Sequence, residues 1–250
     1  MGKIIENISL VVLDMAGTTV RDNSEVEGCF AKACEQTGLS LSAERIKSVQ
    51  GWSKRYVFEV LWSEKLGLPI EMVTERVDHS YAVFKSILED HYNTSEIVPT
   101  EGCLELFSFL RLNGIKIALT TGFYREVTDI ILRKLGWLKG LDKNYKSIGN
   151  SFIDLSIAGD EVKRGRPFPD MILKAMDIFG IDDSSKVISI GDTPSDLQSG
   201  KAAGCFLTLG ITNGTHTREL LMPYPNDGLL GSLYELISLL NTEQMELQVC

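Results

Sequence analysis

Asp14 ends a short apolar run, Ile8 to Leu13, and is followed by Met15-Ala16-Gly17-Thr18, so a carboxylate stands at the end of the run with small residues just beyond it. The run ISLVVL is too short for a helix and rich in β-branched residues. It predicts a buried parallel strand that delivers Asp14 to its carboxyl end, where open α/β sheets do their chemistry. An acid in that place can act on a substrate, or it can simply cap the next helix. Three later segments repeat the pattern. Ile115 to Thr120 is another apolar strand, running into Thr121-Gly122. There a hydroxyl and the following N–H groups can hold phosphate oxygens at a helix start, and glycine permits close approach. Gly165-Arg166-Pro167-Phe168-Pro169 presents an arginine between fixed turns, a planar fork suited to phosphate oxygens or to offsetting crowded negative charge. Val187 to Gly191 leads into Asp192, a hard oxygen ligand suited to Mg²⁺. Thr193, Pro194 and Asp196 read as N-cap, first helical residue and N3 of the following helix, and the Asp196 carboxylate can also stand behind a metal.

The elements that must position these residues follow from periodicity. After Pro99 the chain alternates: helix over 101–113, strand 115–120, helix 124–135, strand near 153–158, helix 169–179, strand 187–191, helix 194–203, strand 205–209 and a last helix near 232–240. Such alternation predicts an α/β fold with a doubly wound parallel sheet. The stretch between the first two strand motifs reads almost wholly helical. Its stripe Ile70, Val73, Val77, Tyr81, Phe84 and Leu88 recurs at three- and four-residue steps and marks a packed core. Residues 22–95 are therefore read as a helical cap inserted into a core made of 1–21 and 96–250, with linkers near 20–22 and 95–101. The polar tail 241–250 is expected to be mobile.

Composition bounds the function. The chain has 250 residues, 44% of them apolar, enough for a sizeable core. A net charge of -9 without any basic block argues against nucleic acid or an acidic membrane surface as a partner. No apolar run reaches 18 residues and no signal-peptide pattern opens the chain, which reads as a cytoplasmic protein. Five cysteines without paired spacing read as free thiols, and three histidines, none beside a motif, give no expectation of a histidine-based site.

The ordered set Asp14, Thr121, Arg166 and Gly191-Asp192, with the longest insertion after the first, resembles the haloacid dehalogenase superfamily of aspartate-nucleophile phosphohydrolases over about residues 8–240. Most members carry a second Asp two residues after the nucleophile and a Lys in the third motif. This chain has Ala16 and Arg166, a pairing similar to the phosphonatase branch, phosphonoacetaldehyde hydrolase and its relatives. The resemblance implies that Asp14 attacks phosphorus and that Mg²⁺ is held by Asp14, the Ala16 carbonyl and Asp192. It implies that Thr121, Gly122 and Arg166 bind the phosphoryl oxygens, and it allows a homodimer. Ala16 cannot supply the acid and base that the second Asp normally provides.

Gly51-Trp52-Ser53-Lys54 in the cap offers another chemistry. In phosphonatases a lysine here condenses with the substrate aldehyde, and the iminium draws electrons from the carbon–phosphorus bond. Attack by Lys54 at neutral pH requires an unprotonated amine, through burial or a cationic neighbour such as Arg55 or Arg166. In other helical-cap members the same G-x-S-[RK] pattern, Gly51, Ser53 and Lys54 here, puts a cation on the distal part of the substrate. A third possibility is a solvated helix lysine. Gln50, Val57 and Phe123 depart from the Met, His and Tyr usual in phosphonatases, which bears on the substrate. The readings are thus a phosphonatase-like hydrolase, a phosphomonoesterase or phosphoryl transferase acting on small metabolites, and a protein that only binds magnesium and phosphate.

Overall fold

Six parallel strands form the centre of the computed structural model, which describes residues 3–49 and 52–242. They are β1 (Leu10–Asp14), β2 (Lys116–Thr120), β3 (Leu155–Ile157), β4 (Val187–Gly191), β5 (Leu207–Ile211) and β6 (Gly228–Leu230), in the order β3-β2-β1-β4-β5-β6. Every residue of β1, β4 and β5 is buried, as expected of parallel strands covered on both faces. The strand order reverses between β1 and β4. A crevice therefore opens at the carboxyl ends beside Asp14, which is in register with Thr120 of β2.

Four helices form the insertion that follows β1: α1 (Glu25–Thr37), α2 (Ala43–Ser48), α3 (Lys54–Leu66) and α4 (Thr74–Thr94). Both α1 and α3 pack on α4. Phe30, Phe58 and Phe84 meet there with ring centroids 5.2 to 6.3 Å apart, and the Trp62 indole donates to Ser80 Oγ at 2.9 Å. The two chain segments that join this insertion to the sheet are tied together: Arg21 N donates to Val98 O, Thr100 N to Thr19 O, and Thr100 Oγ1 to Thr18 O. The remaining helices are α5 (Cys103–Leu112), α6 (Arg125–Lys134), α7 (Asp170–Phe179), α8 (Pro194–Ala203), α9 (Arg218–Leu221) and α10 (Leu233–Leu240). Tyr124, just before α6, donates to Glu89 Oε1 at 2.7 Å and to Lys85 O at 3.2 Å, so α4 is fastened to the core beside the strand tips.

Several sequence expectations need correction. The stripe on 70–88 is buried at Val73, Val77, Phe84 and Leu88 but not at its first member. Pro69 starts a 3-10 turn at Ile70–Met72, α4 begins at Thr74, and Ile70 is exposed while Val77, Phe84 and Leu88 are buried. The fifth strand starts at Leu207 and not at Cys205, because Gly204 closes α8 in a left-handed conformation and Cys205 N is spent on Gly200 O. Strand β6 was not anticipated; its three residues carry no periodicity. Cys29, Cys34, Cys103 and Cys205 are free and buried; Cys250 and the expected mobile tail from 243 onward lie outside the described residues. Among the described residues no helix is long and apolar enough to cross a membrane.

Candidate active site

The strand tips bring Asp14, Thr121 and Arg166 to the wall of one small cavity, with Asp192 buried beside Asp14. Asp14 is the last residue of β1, Thr121 and Gly122 follow β2, and Asp192 follows β4. Arg166 arrives from the loop before α7, across a cis bond to Pro167. Its Nη1 lies 2.5 Å from Asp14 Oδ1 and 2.6 Å from Asp196 Oδ1, and its Nη2 donates to Thr120 Oγ1 at 2.8 Å. All four groups are buried. A fixed planar cation thus holds the Asp14 carboxylate in one orientation, as a nucleophile aimed at an incoming atom requires.

Asp14, Asp192 and Asp196 each offer a carboxylate oxygen, all within 4.8 Å of one another. One buried guanidinium faces three buried carboxyls. Burial, with repulsion from Asp196 and Asp192, holds the Asp14 carboxyl well above the usual range, and burial with Asp196 pushes Asp192 up to about 6. Thr215 N and Oγ1 both donate to Asp192 Oδ2 at 2.6 Å, whereas Asp192 Oδ1 is buried with no hydrogen-bond partner. An orphaned, oriented carboxylate oxygen within an uncompensated acidic cluster fits a hard divalent cation. Space there is reserved by glycine: Gly17, at φ +87°, and Gly214 both abut Asp192, and a Cβ on Gly214 would lie 2.5 Å from Asp192 Oδ2. Asp196 does two jobs. Its Oδ2 accepts from Thr193 N at 3.0 Å and Thr193 Oγ1 at 2.5 Å, capping α8, while Oδ1 meets Arg166.

Lys54 is the first residue of α3, and its side chain is buried. Its Nζ donates to Val49 O at 3.2 Å and lies 5.1 Å from the Phe30 ring centroid. Burial lowers its pKa to about 8, against the opposing pull of Cys34, Asp22 and Glu27. The solvated-lysine reading is excluded by this burial. No cationic neighbour is needed, since Arg55 is engaged by Asp78 at 2.7 Å. Ser53 caps α3 with its backbone only, and Gly51 lies outside the described residues.

Lys54 and Asp14 line the same inner cavity of about 50 Å³, together with Thr121, Gly122, Arg166, Ala16 and Asp22. Thr121 Oγ1 accepts from Phe123 N at 3.1 Å, which fixes the hydroxyl at the turn. An outer chamber of about 540 Å³ adjoins this cavity, sharing Trp52, Lys54, Gly122, Phe123 and Arg166 with it. Sequence reasoning missed Thr120, Thr215 and Asp22. Thr120 was readable as the last residue of β2, but its partner Arg166 is distant in sequence. Thr215 lies in a loop without a motif. His216, expected to stand apart, donates or accepts at Thr215 Oγ1, 3.0 Å from its Nδ1, and so adjoins the Asp192 support.

Comparison with known proteins agrees with this arrangement. The family model described as haloacid dehalogenase-like hydrolase matches residues 8–204. Phosphonoacetaldehyde hydrolase of Bacillus cereus is 31% identical over 225 residues, covering 83% of this chain and 77% of its own. The bifunctional phosphonoacetaldehyde hydrolase/aminoethylphosphonate transaminase of Clostridioides difficile is 32% identical over 217 residues, 80% of this chain but only 31% of that protein. Two solved structures share the fold. A phosphonoacetaldehyde hydrolase like protein from Oleispira antarctica superposes with a TM-score of 0.74 at 20% identity, covering 94% of this chain and 93% of its own. A hydrolase from Pseudomonas syringae superposes at 0.76 and 20%, covering 92% and 96%.

Proposed function

The chain belongs to the haloacid dehalogenase-like hydrolase family, and from that premise we propose that it is a magnesium-dependent phosphonatase-like hydrolase that cleaves the carbon–phosphorus bond of phosphonoacetaldehyde or a related aldehyde. The observation that carries this reading is the placement of a buried amine, Lys54, and a buried carboxylate, Asp14, on one small cavity. A single substrate bound there meets both.

In this reading the neutral Lys54 amine condenses with the substrate carbonyl, expelling water and leaving a protonated imine. Asp14 Oδ then attacks phosphorus. The carbon–phosphorus electron pair moves onto carbon and into the imine, which becomes a neutral enamine, while Asp14 carries the phosphoryl group. Arg166 and Thr121 hold the transferring oxygens, Gly122 lets the backbone approach them, and Arg166 also fixes Asp14. Ala16 has no side-chain acid to give, and a carbon leaving as an enamine needs none. Asp14, Asp192 and the Ala16 carbonyl would hold Mg²⁺, with Asp196 behind them capping α8. Bound there, the ion offsets the repulsion between carboxylate and phosphoryl oxygens. Helices α1–α4 act as the cap that encloses the site and keeps Lys54 out of water.

A second reading has its own support. The outer chamber, at about 540 Å³, is far roomier than a two-carbon aldehyde requires, and suits a larger phosphorylated metabolite whose distal anion meets Lys54. The deciding experiment measures phosphate release from phosphonoacetaldehyde, small sugar phosphates and phosphoglycolate, with Mg²⁺ and with chelator, alongside borohydride trapping. Release from the aldehyde that chelator abolishes, with a reduced adduct on the Lys54 peptide, is expected. Release from phosphate esters only, without an adduct, would favour the second reading. No turnover on any compound, with magnesium and phosphate still bound, would leave a binding protein.

A further inference from the structure

Condensing an aldehyde with an amine, and reversing it, requires a proton at the departing or returning oxygen, and Ala16 leaves the cavity without the carboxyl that could carry it. Among the described residues, the ionisable ones lining the inner cavity are Asp14, Asp22, Lys54 and Arg166. Asp14 is clamped by Arg166 and faces phosphorus, Lys54 is the amine, and a guanidinium does not give up its proton. Asp22 is left. It sits on the segment that leaves the β1 loop and enters α1, where its Oδ1 accepts from Glu25 N at 2.8 Å. Its carboxyl also stands beside that of Glu25, and the repulsion between the two favours a proton on one of them. Glu25 in turn accepts from Asn23 Nδ2 at 3.0 Å and from Asn23 N, so its charge is solvated by donors and the proton falls to Asp22. Asp22 and Lys54 both stand on the wall of this one cavity of about 50 Å³, so a substrate bound there meets both side chains.

We propose that Asp22 is the proton carrier of the inner cavity: its carboxyl protonates the departing oxygen when the substrate aldehyde condenses with Lys54, and takes a proton back from water when the product imine is hydrolysed. The balance closes. Lys54 and the aldehyde give a carbinolamine; that species and the Asp22 acid give protonated imine, water and Asp22 carboxylate. After phosphoryl transfer and protonation of the enamine carbon by solvent, water adds to the imine and its proton returns to Asp22. Burial pushes Asp22 up to about 8, helped by Glu25 and more weakly by Asp192. The other titratable groups in its field are Lys54 on α3, Cys29 on α1 and Tyr92 on α4. The acid is thus charged with a proton at neutral pH without a cationic partner.

The role rests on the Lys54 imine, and its test separates the two. Borohydride trapping with phosphonoacetaldehyde is timed in the unaltered protein, in Asp22→Asn and in Asp22→Ala. We expect adduct formation in Asp22→Asn to slow by roughly 10²- to 10⁴-fold, and formate to restore part of the Asp22→Ala rate, which a structural role would not allow. A folded Asp22→Asn protein that traps adduct at the parent rate, or a folded Asp22→Ala protein deaf to formate, overturns the assignment and leaves the imine standing. Absence of adduct in the unaltered protein overturns the imine and this role with it. If neither variant folds, the ¹³C carboxyl resonance assigned to Asp22 in the magnesium-loaded unaltered protein at pH 7 decides: an un-ionised Asp22 supports the proposal and an ionised one ends it.

Discussion

At the scale of single residues, the site divides into groups whose roles respond differently to isosteric change. Asp14→Asn keeps the shape and a contact to Arg166 but removes the attacking lone pair, so phosphate release should fall by at least roughly 10³-fold in a folded protein. Parent-level turnover in that variant would remove Asp14 from the mechanism. Lys54→Arg keeps a cation but forms no imine at neutral pH. Under the imine reading it should abolish carbon–phosphorus cleavage, as measured by phosphate release from phosphonoacetaldehyde. If Lys54 only contacts an anion, the Arg variant should retain much of its activity while Lys54→Ala raises KM. The residues legible in the sequence were those at strand tips, since a short apolar run announces its own end and Asp14, Thr121 and Asp192 stand there. Arg166 was legible through its flanking prolines. Thr215 and Asp22 were not, because each matters through a partner that only the fold brings close: Asp192, 23 residues away, for one, and the cavity wall for the other.

At the scale of elements, helices with caps and full periods were readable, and those that depend on tertiary contact were not. Thr193-Pro194-x-Asp196 fixed the start of α8 to the residue, because a capping box satisfies the first free N–H groups locally. The stripe on 70–88 marked core from Val73 onward and failed only at Ile70, because the 3-10 turn over Ile70–Met72 takes that side chain off the face α4 presents to the core. Strand β6 exists because β5 offers an edge to pair with, and nothing in Gly228-Leu229-Leu230 announces it. Two element-level outcomes follow. Leu88 is fully buried on α4 against the insertion's core, so Leu88→Ala should cost about 2–5 kcal/mol in denaturant unfolding. A near-silent Leu88→Ala would mean that the insertion's packing is not part of the cooperative unit. Gly214→Ala should leave helix content unchanged yet weaken Mg²⁺ binding in calorimetry by at least tenfold, because its Cβ displaces the Asp192 carboxylate. Unaltered affinity would show that this loop yields freely.

At the scale of the whole molecule, the parallel sheet was legible from strand–helix alternation, and three buried carboxyls meet at its strand tips. Burial raises the Asp192 carboxyl to about 6 and that of Asp22 to about 8, against 3.8 ordinarily, and holds Asp14 well above the ordinary value too. The folded chain therefore binds protons that the unfolded chain has released. Stability from these groups is present at low pH and is lost as pH rises from about 4 through 6 and on toward 8. Without divalent cation, Tm should fall between pH 5 and pH 8. Added Mg²⁺ should raise Tm more at pH 8 than at pH 5, and a cation effect independent of pH would separate the ion from this cluster. The nested chambers carry a consequence of a different kind. Under the proposed reaction phosphate would form against Asp14 in the inner cavity, with the organic fragment between it and the outer chamber. Departure is then sequential, organic product first and phosphate last. In initial-rate studies phosphate should compete with substrate for the emptied protein, the aldehyde product should inhibit noncompetitively, and the step that resets each turnover is the exit of phosphate past Phe123 and Trp52.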